Sequence, residues 1–477
     1  MTAPRVILRG SQAAALRAHF CTDANGDLRV VAVLFRQIDV AVNELCPSAR
    51  FVAQATTILP SLSPSTSADA YVKHHKEKLT DIFHRCSKGN LIFGIACSRP
   101  TGSSLTAPLA KVFESALLLL HCAIGGVQRP LVVLELADAG WIALVRKPSA
   151  PEDVRARHVA VLDDRLQLFC HSELTHADPE IQARQIAAFG KPFADRLSSL
   201  RVAVVGCSGT GSPTATMLAR SGVGELVLID HDLLEASNLN RVRGLRARDI
   251  GRPKAPQLKN YIDSIGLPVK VAAYEAYVDQ AADAVDALAS CDVVFGCTDD
   301  YIGREVLSVS LCMYAQVLID VGLGGKIAEG HGVPFLRYHH ARISTVLPEW
   351  GACLFCQGAI SEAEIRTQYA DRENPNMTPE ERRVRYLTDG ATSAPGVGPF
   401  TNAASDYAIA TLFDLVKPFR RFPPELRRDM FSIDFVAMNL SSVEHVQNSD
   451  CPYCGTRSLC SAVEEYRLGR PALGKRA

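Results

Sequence analysis

A short apolar run with three glycines close behind it constrains the fold of this chain more than any other feature. Residues 202–205 have the composition of a buried parallel strand. Gly206, Gly209 and Gly211 then permit a tight turn and a close approach of the backbone to phosphate. If residues 212–220 continue as a helix, its first N–H groups face an anion. The pattern therefore predicts a strand, a turn and a helix built around a phosphate.

A second apolar strand is predicted over residues 226–229, and it ends at Asp230. An acidic side chain at this position commonly binds a ribose hydroxyl. The two strands together indicate a nucleotide site in a parallel α/β sheet. A glycine turn of this kind fits a dehydrogenase equally well, so the chemistry must be inferred from the residues that follow.

The segments after Asp230 carry further motifs. They read HDLLEASNLNR, DIGRPKA and later DVVFGCTDD, and ARQIAAFG lies upstream of the first strand. In order and spacing they resemble the ThiF/MoeB/HesA superfamily, the ubiquitin-activating-type adenylating enzymes, over roughly residues 181–458. The positions that match the superfamily are Arg184, Gln185, Phe189, Gly190, Asp230, Asp232, Glu235, Ser237, Asn238, Asn240, Arg241, Asp249, Gly251, Lys254 and Asp299.

The resemblance implies attack of a carboxylate on the α-phosphate of ATP. This reaction builds negative charge while pyrophosphate leaves, so it needs fixed cations and a metal ion. By resemblance, Arg241 and Lys254 stabilise the triphosphate, Asn240 adds a neutral donor, and Asp299 holds Mg²⁺. Arg184 would reach the ATP of the opposite subunit, which implies a homodimer with composite sites. The nucleotide site expected from the resemblance comprises Gly206, Gly209, Gly211, Asp230, Asp232, Asn238, Asn240, Arg241, Lys254, Asp299 and Arg184.

Two positions depart from the superfamily's pattern. Ser208 stands where the glycine-rich turn usually has its second glycine, and Asp300 stands where an asparagine usually follows Asp299. Serine adopts a positive φ only at a cost in free energy. We therefore expect either a negative φ at Ser208 or a slightly remodelled loop.

Four of the 15 cysteines form two C-x-x-C pairs, Cys353 with Cys356 and Cys451 with Cys454. Each pair places two thiolates on one turn, and two such turns can close a tetrahedral Zn²⁺ site. A redox pair is the alternative, but redox chemistry would not need the second pair. The superfamily carries the same two knuckles. We therefore predict a structural zinc that clamps the C-terminal segment onto the preceding domain.

The position of a thioester-forming cysteine is an open question. Many relatives place one in a crossover loop, but the matching residues 357–396 contain none and are charged and polar, which is typical of a solvated loop. Cys460, just past the second knuckle, is the candidate carrier in the C-terminal half. The preferred interpretation is that an acyl-adenylate passes directly to a thiol of a partner protein.

The first 150 residues are predicted to form a separate, smaller α/β domain. A linker over residues 151–180 would join it to the adenylating domain over residues 181–477. The segment GIACSRPTGSS and the order of elements resemble a JAB/MPN domain, whose metal motif is degraded here. The matching positions are Cys97, Ser98, Arg99, Pro100, Ala107 and Ala110. The resemblance implies an inactive copy, and an unrelated α/β accessory domain is an equally weighted alternative.

Composition excludes several classes of function. With 51 basic and 51 acidic residues and no long basic block, nothing indicates a nucleic-acid or membrane-surface ligand. The N-terminus lacks the apolar core of a secretory signal, and no apolar run is long enough to span a membrane. Many cysteines without export indicate reduced thiols, so we predict a cytoplasmic protein.

The predicted function is ATP- and Mg²⁺-dependent adenylation of the C-terminal carboxylate of a ubiquitin-like protein. The activated tail would pass to a thiol of a conjugating enzyme or a sulfur-acceptor protein, in a bacterial conjugation pathway. Other substrates remain open: a small molecule, a peptide, a tRNA base or a sulfur carrier for cofactor synthesis. A non-catalytic scaffold that binds nucleotide is the alternative from another class.

Overall fold

The computed structural model describes most of the chain. The described residues are 3–21, 29–40, 42, 45, 48–61, 67–98, 117–118, 121, 129–146, 153–171, 177–373, 396–423, 426, 428–442, 445, 447–455 and 466–475. Apart from two short segments, the chain divides into two compact units, Met1–His176 and Ala177–Ala477.

Nine strands among the described residues form one mixed sheet in the first unit. In chain order they are β1 (Arg5–Arg9), β2 (Val30–Val40), β3 (Ser48–Ile58), β4 (Ile92–Ser98), β5 (Leu131–Ala137), β6 (Gly140–Arg146), β7 (Val154–Arg155), β8 (His158–Leu162) and β9 (Leu166–Cys170). Their order across the sheet is β7-β6-β5-β4-β2-β3-β1-β8-β9. The helices of this unit are α1 (Gly10–Cys21), α2 (Ala68–His74) and α3 (Lys76–Lys88). Buried residues of the sheet form two apolar clusters, and α1 contributes to one and α3 to the other, so both faces of the sheet are covered.

Strand β2 shows why both faces need cover. Val31, Val33 and Phe35 belong to one cluster, whereas Val30 and Leu34 belong to the other. Successive side chains of a strand point to opposite faces, so a continuous apolar run is buried on both sides. This pattern is the one expected of a central strand.

The predicted linker carries secondary structure of its own. Residues 151–180 include β8 and β9, and β8 pairs in parallel with β1, with Arg5 opposite His158. The charged and proline-containing residues before β8 gave the segment the composition of a linker. Strand β1, with which β8 pairs, lies at the start of the chain, so the composition around β8 could not indicate this pairing.

Eight strands among the described residues form the sheet of the second unit. They are β10 (Arg201–Val205), β11 (Glu225–Ile229), β12 (Lys270–Tyr274), β13 (Val293–Gly296), β14 (Val317–Gly330), β15 (Val333–Val346), β16 (Met430–Asp434) and β17 (Asn439–Ser441). The order is β12-β11-β10-β13-β14-β15-β16-β17, parallel from β12 to β14 and antiparallel beyond. The mixed α/β fold with a parallel sheet confirms the predicted class.

Helices precede, connect and follow the parallel strands of this unit. They are α4 (Ala183–Phe189), α5 (Lys191–Ser199), α6 (Gly211–Arg220), α7 (Lys254–Ser264), α8 (Ala282–Ala289), α9 (Tyr301–Tyr314), α10 (Glu362–Glu373) and α11 (Gly398–Val416). Strands β11 and β12 lie on one side of β10, while β13 and β14 lie on the other. The strand order therefore reverses at β10, and ligands of open α/β sheets bind at such a point, beyond the carboxyl ends of the strands.

No helix among the described residues is both long enough and apolar enough to cross a membrane.

Candidate nucleotide site and cysteine cluster

The turn after β10 has the close backbone contacts that demand glycine. Gly206 has φ +88°, and a Cβ there would lie 2.6 Å from the carbonyl oxygen of Cys297. A Cβ on Gly211 would lie 1.7 Å from the carbonyl oxygen of Gly206. Neither contact can be relieved by rotating a side chain, since the neighbour is backbone. The turn is therefore compact because both positions are glycine.

Ser208 fits this turn without strain. It is not among the described non-glycine residues with positive φ. Its carbonyl oxygen accepts hydrogen bonds from the backbone N–H of Ser212 at 2.9 Å and from the Ser212 hydroxyl at 2.7 Å. The first of the two possibilities raised by the sequence, a negative φ, is the correct one.

Asp230 organises the turn from the end of β11. Its carboxylate accepts hydrogen bonds from the backbone N–H of Cys207 at 2.5 Å and from that of Asp232 at 2.8 Å. Burial raises the pKa of Asp230, while the charge of Lys254 and these two N–H groups oppose the rise. The predicted contact between Asp230 and a ribose hydroxyl remains a prediction.

Lys254 lies at the start of α7 with its side chain buried. Its Nζ is 2.8 Å from Oδ2 of Asp232, and His231 Nε2 is 3.0 Å from Oδ1 of the same carboxylate. The hydrogen bond from His231, together with Lys254, holds the pKa of Asp232 well below its usual range. His231 also stacks on Tyr277, with ring centroids 3.5 Å apart. A fixed cation therefore stands beside the glycine turn, as the predicted chemistry requires.

Arg241 lies on the other side of the turn, next to Gly209. A Cβ on Gly209 would lie 3.1 Å from Cδ of Arg241, and the guanidinium donates to the carbonyl oxygen of Ser237 at 2.8 Å. Asn240 is exposed, so its amide is available to a ligand. Asn238 is buried, and its side-chain oxygen accepts from the backbone N–H of Glu235 at 3.0 Å, so it holds the loop rather than facing solvent.

Asp299 is exposed on the turn between β13 and α9. Its carboxylate makes no hydrogen bond or ion pair with another residue that the structure describes. The next residue, Asp300, caps α9 by accepting from the backbone N–H of Ile302 at 3.2 Å. Carboxylate plus phosphate oxygens are the ligands that Mg²⁺ prefers, so Asp299 and the glycine turn have the donor set for Mg²⁺ and a triphosphate.

Several charged residues near this turn were missed in the sequence. Arg304 and Arg342 both contact the buried carboxylate of Asp320, at 3.3 and 2.5 Å. Arg372 on α10 contacts Asp279 at 3.0 Å and Asp300 at 2.6 Å. Each member of these pairs is distant in sequence from its partner, and apart from Asp300 none lies in a recognisable motif. Only Asp300 could have indicated such a pair from the sequence, because it is a carboxylate where the superfamily usually has asparagine, and a half-buried carboxylate needs a cation.

Arg184 is exposed on α4, and no described residue pairs with it. The neighbouring side chain of Gln185 donates to the carbonyl oxygen of Ser221 at 3.0 Å, which anchors the helix next to α6. The predicted reach of Arg184 into the site of a second subunit therefore remains a prediction.

The four knuckle cysteines come together although the pairs are far apart in sequence. Sγ of Cys353 lies 3.6 Å from Sγ of Cys451, and Sγ of Cys356 lies 3.5 Å from Sγ of Cys454. Four ligands at the Zn–S distance of about 2.3 Å in a tetrahedron would be about 3.8 Å apart. The cluster therefore fits a closed Zn²⁺ site by donor type, number and spacing.

The remaining described cysteines of the second unit are poor nucleophiles. Cys207, Cys291, Cys297 and Cys312 are all buried. Burial raises the pKa of the Cys297 thiol to about 12 and that of Cys207 well above its ordinary value. Cys460 lies outside the described residues, as do Arg99, Pro100, Ala107 and Ala110 of the degraded JAB/MPN motif, so both assignments stay predictions.

The outer ends of the antiparallel strands carry large exposed apolar side chains. Ile327 on β14 is 47% exposed, Val333 and Phe335 on β15 are 63% and 51% exposed, and Met438 before β17 is 87% exposed. Val333 and Phe335 share one face of the β14–β15 hairpin, whereas Ile327, which pairs with Leu336, lies on the opposite face. Exposed large apolar side chains that share a face are typical of protein-contact surfaces.

Comparison with known proteins agrees with this geometry. The sequence matches the ThiF family over residues 182–453, which is more than half of the chain. The chain belongs to the ThiF family.

Three known proteins are similar to parts of the chain. The chain is 24% identical over 288 residues to the vegetative protein HesA of Trichormus variabilis, covering 60% of this chain and 92% of HesA. It is 28% identical over 263 residues to the SAMP-activating enzyme E1 of Haloferax volcanii, covering 54% and 82%. It is 33% identical over 135 residues to the sulfur carrier protein ThiS adenylyltransferase of Escherichia coli, covering 28% and 53%. The protein is an ATP-dependent adenylyltransferase of the E1-like type.

Proposed function

We propose that this enzyme adenylates the C-terminal carboxylate of a ubiquitin-like protein and passes the activated tail to a thiol of a partner protein. The observation that carries the proposal is the grouping of Lys254, Arg241 and Asp299 around one glycine turn. Two cations would bind the triphosphate, and Asp299 with Mg²⁺ would neutralise charge as pyrophosphate leaves. Zn²⁺ held by the four cysteines would serve the fold.

A protein substrate is favoured by the exposed apolar side chains on β14 and β15. Val333 and Phe335 lie two residues apart on β15 and so share one face of the β14–β15 hairpin, where they are 63% and 51% exposed, as is typical of a surface that contacts a protein. One relative is the adenylyltransferase of a protein, the sulfur carrier protein ThiS, which also favours a protein substrate here. We propose that the enzyme works as a homodimer in which Arg184 completes the partner's nucleotide site, and that residues 1–150 bind the modifier or the conjugating enzyme in a bacterial pathway.

The test is ATP–pyrophosphate exchange with a ubiquitin-like protein that ends in two glycines. We expect exchange with the intact protein, none after its tail is removed, and loss of about 10²–10³-fold in Asp299→Ala, because one electrostatic contact to the reacting phosphates is lost. A folded Asp299→Ala variant that still exchanges would show that Asp299 does not hold the metal.

A second comparison separates protein from peptide substrates. Phe335→Asp should weaken exchange with the intact ubiquitin-like protein and leave exchange with a free tail peptide unchanged, because only the protein needs the apolar surface. Exchange with a free peptide or small acid, combined with none for any ubiquitin-like protein, would favour the rival function.

A further inference from the structure

Helix α10 lies by one face against the turn that carries Asp299. Ile365, Gln368, Tyr369 and Arg372 are spaced as i, i+3, i+4 and i+7, which places them on one side of a helix. Ile365 is buried, and Gln368 accepts a hydrogen bond from the backbone N–H of Ile302 at 3.1 Å. Because Ile302 lies in the first turn of α9, the helix is attached to the element that Asp300 caps.

Arg372 makes the strongest of these contacts. Nη1 lies 3.0 Å from both oxygens of Asp279, and Nη2 lies 2.6 Å from Oδ2 of Asp300. The side chains of Arg372, Asp279 and Asp300 are 16%, 4% and 12% exposed. At this burial the ion pairs are little screened by solvent. Removal of Arg372 would leave the Asp300 carboxylate without this cation, whereas Asp279 would keep only its longer contact to Arg470, at 3.7 Å.

The guanidinium spans two loops on opposite sides of the nucleotide turn. Asp279 follows β12 and Asp300 follows β13, and β11 and β10 lie between these strands in the sheet. The guanidinium also lies 4.1 Å from the ring centroid of Tyr277, which in turn stacks on His231. Arg372 therefore ties the Asp299 turn to the loop that supports Asp232 and Lys254.

The contact with Arg372 explains why this chain has Asp300 where the superfamily usually has asparagine. An asparagine at this position could cap α9 but could not form an ion pair with Arg372. In this chain one oxygen of Asp300 caps the helix and the other binds Arg372. These two contacts of Asp300 therefore fix the backbone of the preceding residue, Asp299.

We propose that Arg372 is a positioning residue that holds the Asp299 turn, through Asp300, in the geometry that binds Mg²⁺ with ATP. The proposal rests on the assignment of Mg²⁺ to Asp299. Partners that orient a metal ligand typically change metal affinity by about 10–100-fold when they are removed. Arg372 would act without touching the nucleotide itself.

The experiment measures binding of ATP alone, without an acyl substrate, by titration calorimetry. The dissociation constant for ATP is determined with saturating Mg²⁺ and with EDTA, and the ratio of the two is the Mg²⁺-dependent enhancement. We expect Arg372→Met to reduce this enhancement at least about tenfold. The matched control is Arg366→Met on the same helix, since Arg366 is exposed and pairs only with Glu362 among the described residues.

Two further variants keep the proposal testable if Arg372→Met folds poorly. Arg372→Lys keeps the charge but cannot bridge two carboxylates, so it should give an intermediate loss. Adding Asp300→Asn to Arg372→Met should recover part of the enhancement, because asparagine still caps α9 and the unpaired carboxylate is gone.

An enhancement in Arg372→Met equal to that of Arg366→Met would overturn the proposal. Additive effects of Arg372→Met and Asp300→Asn would also overturn it, since two residues that act together must couple. Asp299→Ala tests the metal assignment separately. If this variant keeps the full Mg²⁺-dependent enhancement, Asp299 does not hold the metal, and the role proposed for Arg372 falls with it. A wild-type protein that binds no ATP would contradict the proposed function itself.

Discussion

Nζ of Lys254 and Oδ2 of Asp232 lie 2.8 Å apart beside the glycine turn. Lys254 is 4% exposed, so its side chain is confined to this position by the surrounding residues. The triphosphate of ATP would compete with the Asp232 carboxylate for the same ammonium group. This pair joins a residue predicted to stabilise the triphosphate to another residue of the expected nucleotide site.

Replacing Lys254 with methionine should reduce ATP–pyrophosphate exchange by about 10²–10³-fold, because a charge aimed at the phosphates is lost while the methylene chain is kept. The control is Lys259→Met on the same helix, whose ammonium pairs with Asp263 near the surface. Comparable loss in both variants would indicate damage to α7 rather than to the nucleotide site.

The cysteine cluster should hold one zinc ion per chain. Elemental analysis of purified protein would measure it, and Cys451→Ser should abolish it. Because metal affinity contributes to folding stability, we expect the melting temperature to fall by roughly 10 °C or more. Cys291→Ala is the control, since Cys291 is buried in the same unit but lies outside the cluster. A metal-free protein with the same melting temperature as the wild type would show that the cluster does not hold a structural zinc.

His121 should make the first unit sensitive to acid. It is 4% exposed and lies against the rings of Phe83 and Phe93, and burial followed by the charge of Arg129 lowers its pKa to about 4. The unfolded chain therefore binds a proton as the pH falls below about 6.5, whereas the folded chain does not until about 4. Stability should be lost across this window, by at most about 2 kcal/mol between about pH 7 and about pH 5.

Urea denaturation at these two pH values measures the effect of His121. His121→Leu should lose less stability on acidification than the wild type, and His84→Leu, an exposed control on α3, should behave like the wild type. An unchanged pH dependence in His121→Leu would mean that other groups cause the acid sensitivity.

A thioester adduct, if one forms, should depend on Cys460, because the non-zinc cysteines that the structure describes in the second unit are all buried. The enzyme, ATP and the modifier are mixed and separated on a non-reducing gel, with wild type and Cys460→Ala. Exchange without any adduct is the outcome expected for direct transfer from the adenylate to a partner thiol. A reducible adduct that persists in Cys460→Ala would exclude Cys460 as the carrier.

The sequence by itself determined the nucleotide half of this protein. Its apolar strands, its glycines and its C-x-x-C pairs are local patterns, and each is imposed by a local requirement. Gly211 is needed because a Cβ there would lie 1.7 Å from the carbonyl oxygen of Gly206 in the same turn, and each C-x-x-C pair is needed because zinc takes two thiolates from one turn. Such signals can be seen without knowing which distant segments meet.

Only the tertiary structure decided which charges meet across the sequence. Arg372 forms ion pairs with Asp279 and Asp300, and β8 pairs with β1. In both cases the local sequence of one partner does not indicate the other. An arginine on a polar helix is normally solvated, and a short apolar segment after a charged one has the composition of a linker. Their roles depend on long-range packing, which brings together buried groups whose charges must be compensated.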